Sequence, residues 1–226
     1  MDKTALVTGG TGGLGTAVTE TLLAAGWRVV VPWYSESGRE RLPAADGLEL
    51  VQADLNESAD AERAASLAAN QSAAPLRAVV NLVGGFGMGP KVHEASIDEF
   101  EHLLRLNLRP TYLATQAALP HLISAGGGSI VCMGSRAAQH PFPGASGYVT
   151  SKAAVLGLVG SLAAEYKMEG IRANAVLPNM IDTPANREAM PDSNRKGWTD
   201  PAEIARVISF LCDDASGVVN GAQVPV

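Results

Sequence analysis

Residues 8–15 read TGGTGGLG. The β-branched and apolar run KTALVT precedes them and the helix-forming run TAVTETLLAA follows. Glycines at this spacing, between a strand pattern and a helix pattern, predict a strand, a tight turn and a helix opening on that turn. Gly9 can permit the turn, while Gly13 and Gly15 let the backbone approach a ligand and let the helix pack on a sheet. Exposed amides at a helix N-terminus favour an anion. The turn is therefore expected to hold the pyrophosphate of a dinucleotide rather than to be purely structural.

The rest of the chain repeats the alternation. Strand patterns fall at 3–8, 28–33, 48–53, 77–83, 128–134 and 171–177, with a short last one in AQVPV. Helix patterns fall at roughly 13–25, 57–70, 96–124, 147–168 and 201–213. The strands are apolar on both faces, as required when helices cover both sides of a sheet. The expectation is an α/β fold: a single doubly wound Rossmann-type domain over 1–226, with a mostly parallel seven-stranded sheet flanked by helices. Residues 178–200, PNMIDTPANREAMPDSNRKGWTD, are polar and too long for a plain connector. A loop of that length is expected to cover the substrate.

Charge and composition exclude several classes. The formal net charge of −6 argues against nucleic acid as a partner. No apolar run reaches membrane-spanning length by inspection, so no membrane partner is expected. MDKTALVTGG starts with charges and passes at once into a strand pattern, unlike a secretory leader. Two cysteines, Cys132 and Cys212, sit in apolar contexts and read as reduced, buried thiols of a cytoplasmic protein. His93, His102 and His121 show no metal-ligand spacing, and no metal is expected.

Several motifs in order resemble the short-chain dehydrogenase/reductase family over almost the whole chain. Thr8, Gly9, Gly13 and Gly15 match its TGxxxGxG turn. ADL at 53–55 matches its acidic spot after the third strand, and NLVGG at 81–85 stands where the family usually has NNAG. Asn107 matches the helix asparagine. Ser135 lies thirteen residues before Tyr148, and Tyr148-x-x-x-Lys152 completes the set. PNMIDTP matches the segment usually written PG…T, with Asn179 in place of the glycine. The chain stops at QVPV, where members usually continue with an Asp-Gly-Gly tail that borders the subunit interface.

The resemblance implies NAD(P)(H) as cofactor. It implies contacts from Thr11 and Leu14 in the turn, Trp33 and Tyr34 after the second strand, and Asp54 and Leu55 after the third. Asn81, Leu82, Val83 and Gly84 would follow, then Pro178, Asn179, Ile181 and Thr183. A carboxylate about 20 positions past the glycines would bind the ribose 2′-hydroxyl of NAD. Here the strand ends in Pro32, Trp33 and Tyr34, and Arg39 and Arg41 come next. The balance leans to NADP(H), although both arginines also suit a solvated helix face.

The chemistry reads as carbonyl reduction. A free phenol has a pKa of about 10, and a nearby cation lowers it. Residues four apart share a helix face, so Lys152 is expected to approach and tune Tyr148, the general acid/base. By resemblance, Lys152 also binds the nicotinamide ribose and Asn107 holds a water in a proton relay. Ser135 would donate to the substrate oxygen. Arg136, Gln139, His140 and Met180 are expected to border a small-molecule carbonyl or alcohol, with Trp198 either beside it or anchoring its loop. Family members are usually homodimers or homotetramers. The loops NLVGGFGMG and LPNMIDTPANREAMPDSNRKGW also look like those of dihydropteridine-reductase-like members, which commonly lack the serine present here. The alternatives are thus a quinonoid C=N reductase, a non-catalytic dinucleotide sensor and a structural subunit.

Overall fold

The computed structural model describes residues 1–42 and 44–226. The elements run β1 (Thr4–Thr8), α1 (Gly13–Ala24), β2 (Arg28–Trp33), α2 (Glu36–Arg39), β3 (Leu48–Gln52), α3 (Ser58–Ala69), β4 (Leu76–Asn81), α4 (Ile97–Asn107), α5 (Arg109–Ser124), β5 (Gly128–Met133), α6 (Ser146–Glu165), β6 (Ile171–Leu177), α7 (Pro184–Ala189), α8 (Pro201–Cys212) and β7 (Gln223–Pro225). The strands form one sheet in the order β3-β2-β1-β4-β5-β6-β7, and every recorded pairing is parallel. Chain order reverses between β1 and β4. Open α/β sheets bind ligands at such a switch point, beyond the carboxyl ends of the strands.

Alternate strand residues enter opposite layers. Leu6, Val30, Val79 and Ile130 face α3, α5 and α6, where Ala64, Ala68, Leu122, Val155 and Val159 pack on them. Val7, Val29, Val31, Val80 and Val131 face α1 and α8, against Val18, Leu22, Ile204 and Ile208. The alanines of α3 bring that helix close to the sheet, and their burial leaves its carboxyl end to a buried arginine. Arg28 donates to the Ala68 and Leu67 carbonyls, to Asn70 and to Glu49, which ties β2 to α3.

Three expectations are corrected. The helix pattern at 96–124 is two helices, α4 and α5, meeting at Leu108. Pro110 has no N–H to donate back to Leu106 and its ring crowds that carbonyl, so a continuous helix is not available there. α6, 20 residues long, does pass the length and composition test for a membrane span. It packs here against α4 and β6 as a core helix and carries the buried Lys152. The 178–200 segment holds α7 and a parallel bridge, Ile181 to Thr199. Backbone bonds from Thr199 to Met180 (2.8 Å) and from Asp182 to Thr199 (2.9 Å) close its base.

Candidate active site

The ends of β1 and β4 lie side by side, Thr8 opposite Asn81, and both strands leave into glycine-containing loops. Gly9 has φ +68°, and a Cβ there would stand 2.9 Å from the Leu82 carbonyl carbon and the Val83 nitrogen. Only glycine takes that conformation in that space. A Cβ on Gly15 would run into the Gly9 carbonyl, so Gly15 seats α1 on the turn. The N-cap of α1 is Gly12, with no side-chain cap and no acidic residue in the first turn. The leading amides of Gly13, Leu14 and Gly15 are thus left to an external anion. On this observation the crevice fits a dinucleotide pyrophosphate.

The flanks of the crevice differ in part from expectation. A Cβ on Gly13 would stand 2.9 Å from Thr183 Cβ, so the segment after β6 lies over the glycine turn. The Thr183 hydroxyl itself accepts from Asn186 N (3.2 Å) as the N-cap of α7. Arg41 donates to the Thr11 carbonyl (3.4 Å), which puts its guanidinium on the turn. Arg39 lies 5.7 Å over the Trp33 ring and pairs with Glu36, while Tyr34 is exposed. Leu55 is buried below Asp54, whose Oδ1 accepts from the backbone and side chain of Asn56. The side chain of Asn81 does not face the crevice. It is buried in the sheet, donating to Thr115 (2.9 Å) and accepting from Thr8, because β4 is covered on that face by α5. The backbone of Leu82 and Val83 packs against Gly9, and Gly84 lies beside Lys152 Nζ. Pro178 is buried, its carbonyl accepting from Arg136 N, and Asn179 is exposed.

Tyr148 stands in the first turn of α6, beside Ser135 at the end of β5. Burial pushes the phenol above its usual value, and the nearby Ser135 hydroxyl acts in the opposite direction. Ser135 is itself buried and its Oγ accepts from Ala137 N (3.2 Å), capping a 3-10 turn. Lys152, one turn beyond Tyr148, is buried and donates to the Met133 carbonyl at 3.0 Å. Burial pushes its ammonium down to about 8. Without a dinucleotide, burial and Ser135 act on Tyr148, while the Lys152 ammonium donates to a β5 carbonyl. Nζ lies 3.2 Å from where a Cβ on Gly84 would stand, at the mouth of the crevice.

Asn107 lies near Lys152: a Cβ on Gly84 would meet both Asn107 Oδ1 and, at 3.2 Å, Lys152 Nζ. Its Oδ1 accepts from Gly85 N (2.9 Å), and its Nδ2 donates to Gly85 O (3.1 Å) and Ser151 Oγ (3.0 Å). Ser151 then donates to the Tyr148 carbonyl at 2.8 Å. The side chain joins the loop after β4 to α6. Among the expected substrate neighbours, Arg136 and His140 are exposed, and Met180 is half-buried beside the base of the 178–200 segment. Gln139 turns to β7, donating to Gln223 at 2.9 Å. Trp198 is half-buried and anchors its loop with Arg195, 6.0 Å from its ring.

Two residues that motif reading passed over belong to the site. Ser151 is one; its signal is a hydroxyl in an apolar helix between the tyrosine and the lysine. Phe86 is the other. Its ring meets Tyr148 edge-on at 5.0 Å and 76°, and its signal is a lone aromatic in a glycine run.

Comparisons with known proteins agree with this geometry. The model of the short chain dehydrogenase family matches residues 3–194. The chain is 33% identical over 240 residues to a 2-(R)-hydroxypropyl-CoM dehydrogenase of Xanthobacter autotrophicus, spanning 98% of this chain and 96% of that one. It is 35% identical over 242 residues to a 4-formylbenzenesulfonate dehydrogenase of Comamonas testosteroni, spanning 99% and 96%. The structure of ElxO with NADP bound superposes with a TM-score of 0.92 at 22% identity, covering 100% of this chain and 97% of that one. A switch-point crevice opening on a serine, a tyrosine and a lysine, together with these matches, makes the chain an oxidoreductase of the short-chain dehydrogenase/reductase family.

Proposed function

We propose that this protein reduces a carbonyl, or oxidises the corresponding alcohol, with NADP(H) as the preferred cofactor. The observation that carries the reading is the Tyr148 phenol set beside the Ser135 hydroxyl near the carboxyl end of β5, one helical turn before the buried Lys152. The dinucleotide, when bound, supplies or accepts the hydride. Ser135 donates to the substrate oxygen and stabilises the charge that builds there. Tyr148 delivers the proton in reduction and removes it in oxidation. A phenol held above its ordinary value is protonated at neutral pH, which favours the acid role. Lys152 holds the ribose at the crevice mouth, and Asn107 fixes the Gly85 loop that forms its wall. The preference for NADP(H) rests on Arg41 against the turn and on the absence of a carboxylate at the end of β2. A homodimer or homotetramer through α5 and α6 belongs to the same reading, because Gly157 and Gly160 leave an open face on α6.

Fluorescence titration with NADPH and NADH, followed by a screen of ketones and aldehydes, tests the function. Tighter NADPH binding with turnover of a carbonyl substrate supports it. Tighter NADH binding removes the cofactor preference, and binding without any turnover removes the enzymatic reading.

A further inference from the structure

The run GGFGMG at 84–89 alternates glycine with a large apolar residue, and the structure gives the alternation a purpose. The strap lies along α4 with its glycines against that helix. A Cβ on Gly85 would meet Leu106 at 2.8 Å, one on Gly87 would meet Leu103 at 2.9 Å, and one on Gly89 would meet Glu99 at 3.7 Å. Glu99, Leu103 and Leu106 share one helix face at i, i+4 and i+7. The intervening residues point the other way. Phe86 is 61% exposed and Met88 62% exposed, and Phe86 touches both Tyr148 (5.0 Å) and Phe142 (6.5 Å). Gly89 N donates to the Gly144 carbonyl at 2.8 Å, which fixes the far end of the strap to the loop leading into α6.

Beside this rim lies a cavity of about 420 Å³, walled by Phe86, Met88, Phe100 and Leu103, and bordered by Gly147, the neighbour of Tyr148. Its lining carries the carboxyl side chains of Asp98 and Glu99 and the imidazole of His102; among the described residues no lysine or arginine lines it. Exposed apolar side chains grouped around a reacting group mark a binding surface. Resting on the carbonyl-reductase reading, we infer that the substrate is an apolar, ring-bearing carbonyl compound that seats its ring against Phe86, Met88 and Phe142. Its distal end lies toward Asp98 and Glu99, so neutral or cationic tails are accepted and anionic tails are disfavoured.

The test measures kcat/KM for acetophenone, para-trimethylammonioacetophenone, para-acetylbenzoate and butanone, in wild type, Phe86→Ala and Asp98→Asn/Glu99→Gln. Phe86 is exposed, so its replacement leaves folding intact, which dinucleotide affinity confirms. Losing one aromatic contact lowers kcat/KM about ten-fold; this loss is expected for acetophenone and not for butanone. The cation-to-anion ratio is expected to fall about five-fold in the double variant, the scale of a surface charge pair. Equal losses for acetophenone and butanone in Phe86→Ala, or a ratio unmoved by the double variant, would overturn the inference while the function stands. No turnover of any ketone, with dinucleotide binding intact, would overturn both.

Discussion

Lys152 carries the largest conflict between stability and function in the molecule. Its ammonium is buried with one carbonyl partner, and burial takes its pKa from 10.5 to about 8. That displacement corresponds to about 3 kcal/mol spent holding the charge inside. Below the folded value the cost is present in full. Between about 8 and 10.5 the unfolded chain binds more protons than the folded one, so this group makes stability rise with pH. Lys152→Met is therefore expected to leave the dinucleotide-free protein as stable as wild type or more so at neutral pH, while activity collapses. Urea denaturation near pH 7 and near pH 10 checks it: the advantage of the variant should shrink at the higher pH. The same titration predicts the rate profile. Reductive kcat/KM should be level through neutral pH, where phenol and ammonium are both protonated, and should fall as pH climbs through about 8. A profile rising across that range would reverse the assigned protonation states.

The glycine turn and the loop after β4 form one packed unit, and the two kinds of left-handed glycine in the chain separate its contributions. Gly26 has φ +84° with open space where a Cβ would go, whereas Gly9 combines φ +68° with backbone 2.9 Å away. Gly26→Ala should cost about 1 kcal/mol of strain, and Gly9→Ala at least about twice that because Leu82 and Val83 must also move. Denaturation midpoints of the two variants measure the difference. How much could be read in advance follows from how local each cause is. The strands were legible because apolar, β-branched runs need only their own residues and a cover of helices. The break between α4 and α5 was hidden because leucines continue the helix pattern on both sides of Pro110. The turn to the Met133 carbonyl by Lys152 and the contact of Phe86 with Tyr148 join residues 19 and 62 positions apart. They depend on how α6 docks, which spacing alone does not encode. Ser135 and Tyr148 were legible because each sits next to the end of an element the pattern already placed.

Across the whole molecule, the sheet brings three separately encoded pieces to one edge: the turn after β1, the serine after β5 and the first turn of α6. The opposite side of α6 is different. Gly157 and Gly160 have open space around them, and Tyr112 and Ile123 are exposed on α5. If a second copy packs there, light scattering should give two or four times the 23.4 kDa chain mass. Gly157→Trp should then return the protein to a monomer without loss of fold. A monomeric wild type would remove the proposed assembly and leave the site untouched, since every group of the site comes from one chain. The central claim is that Tyr148 moves the proton. Tyr148→Phe keeps the ring against Phe86 and removes only the hydroxyl. The account predicts a fall in kcat of at least about a hundred-fold, with NADPH affinity by fluorescence within about two-fold of wild type. Turnover near the wild-type rate in that variant would contradict it.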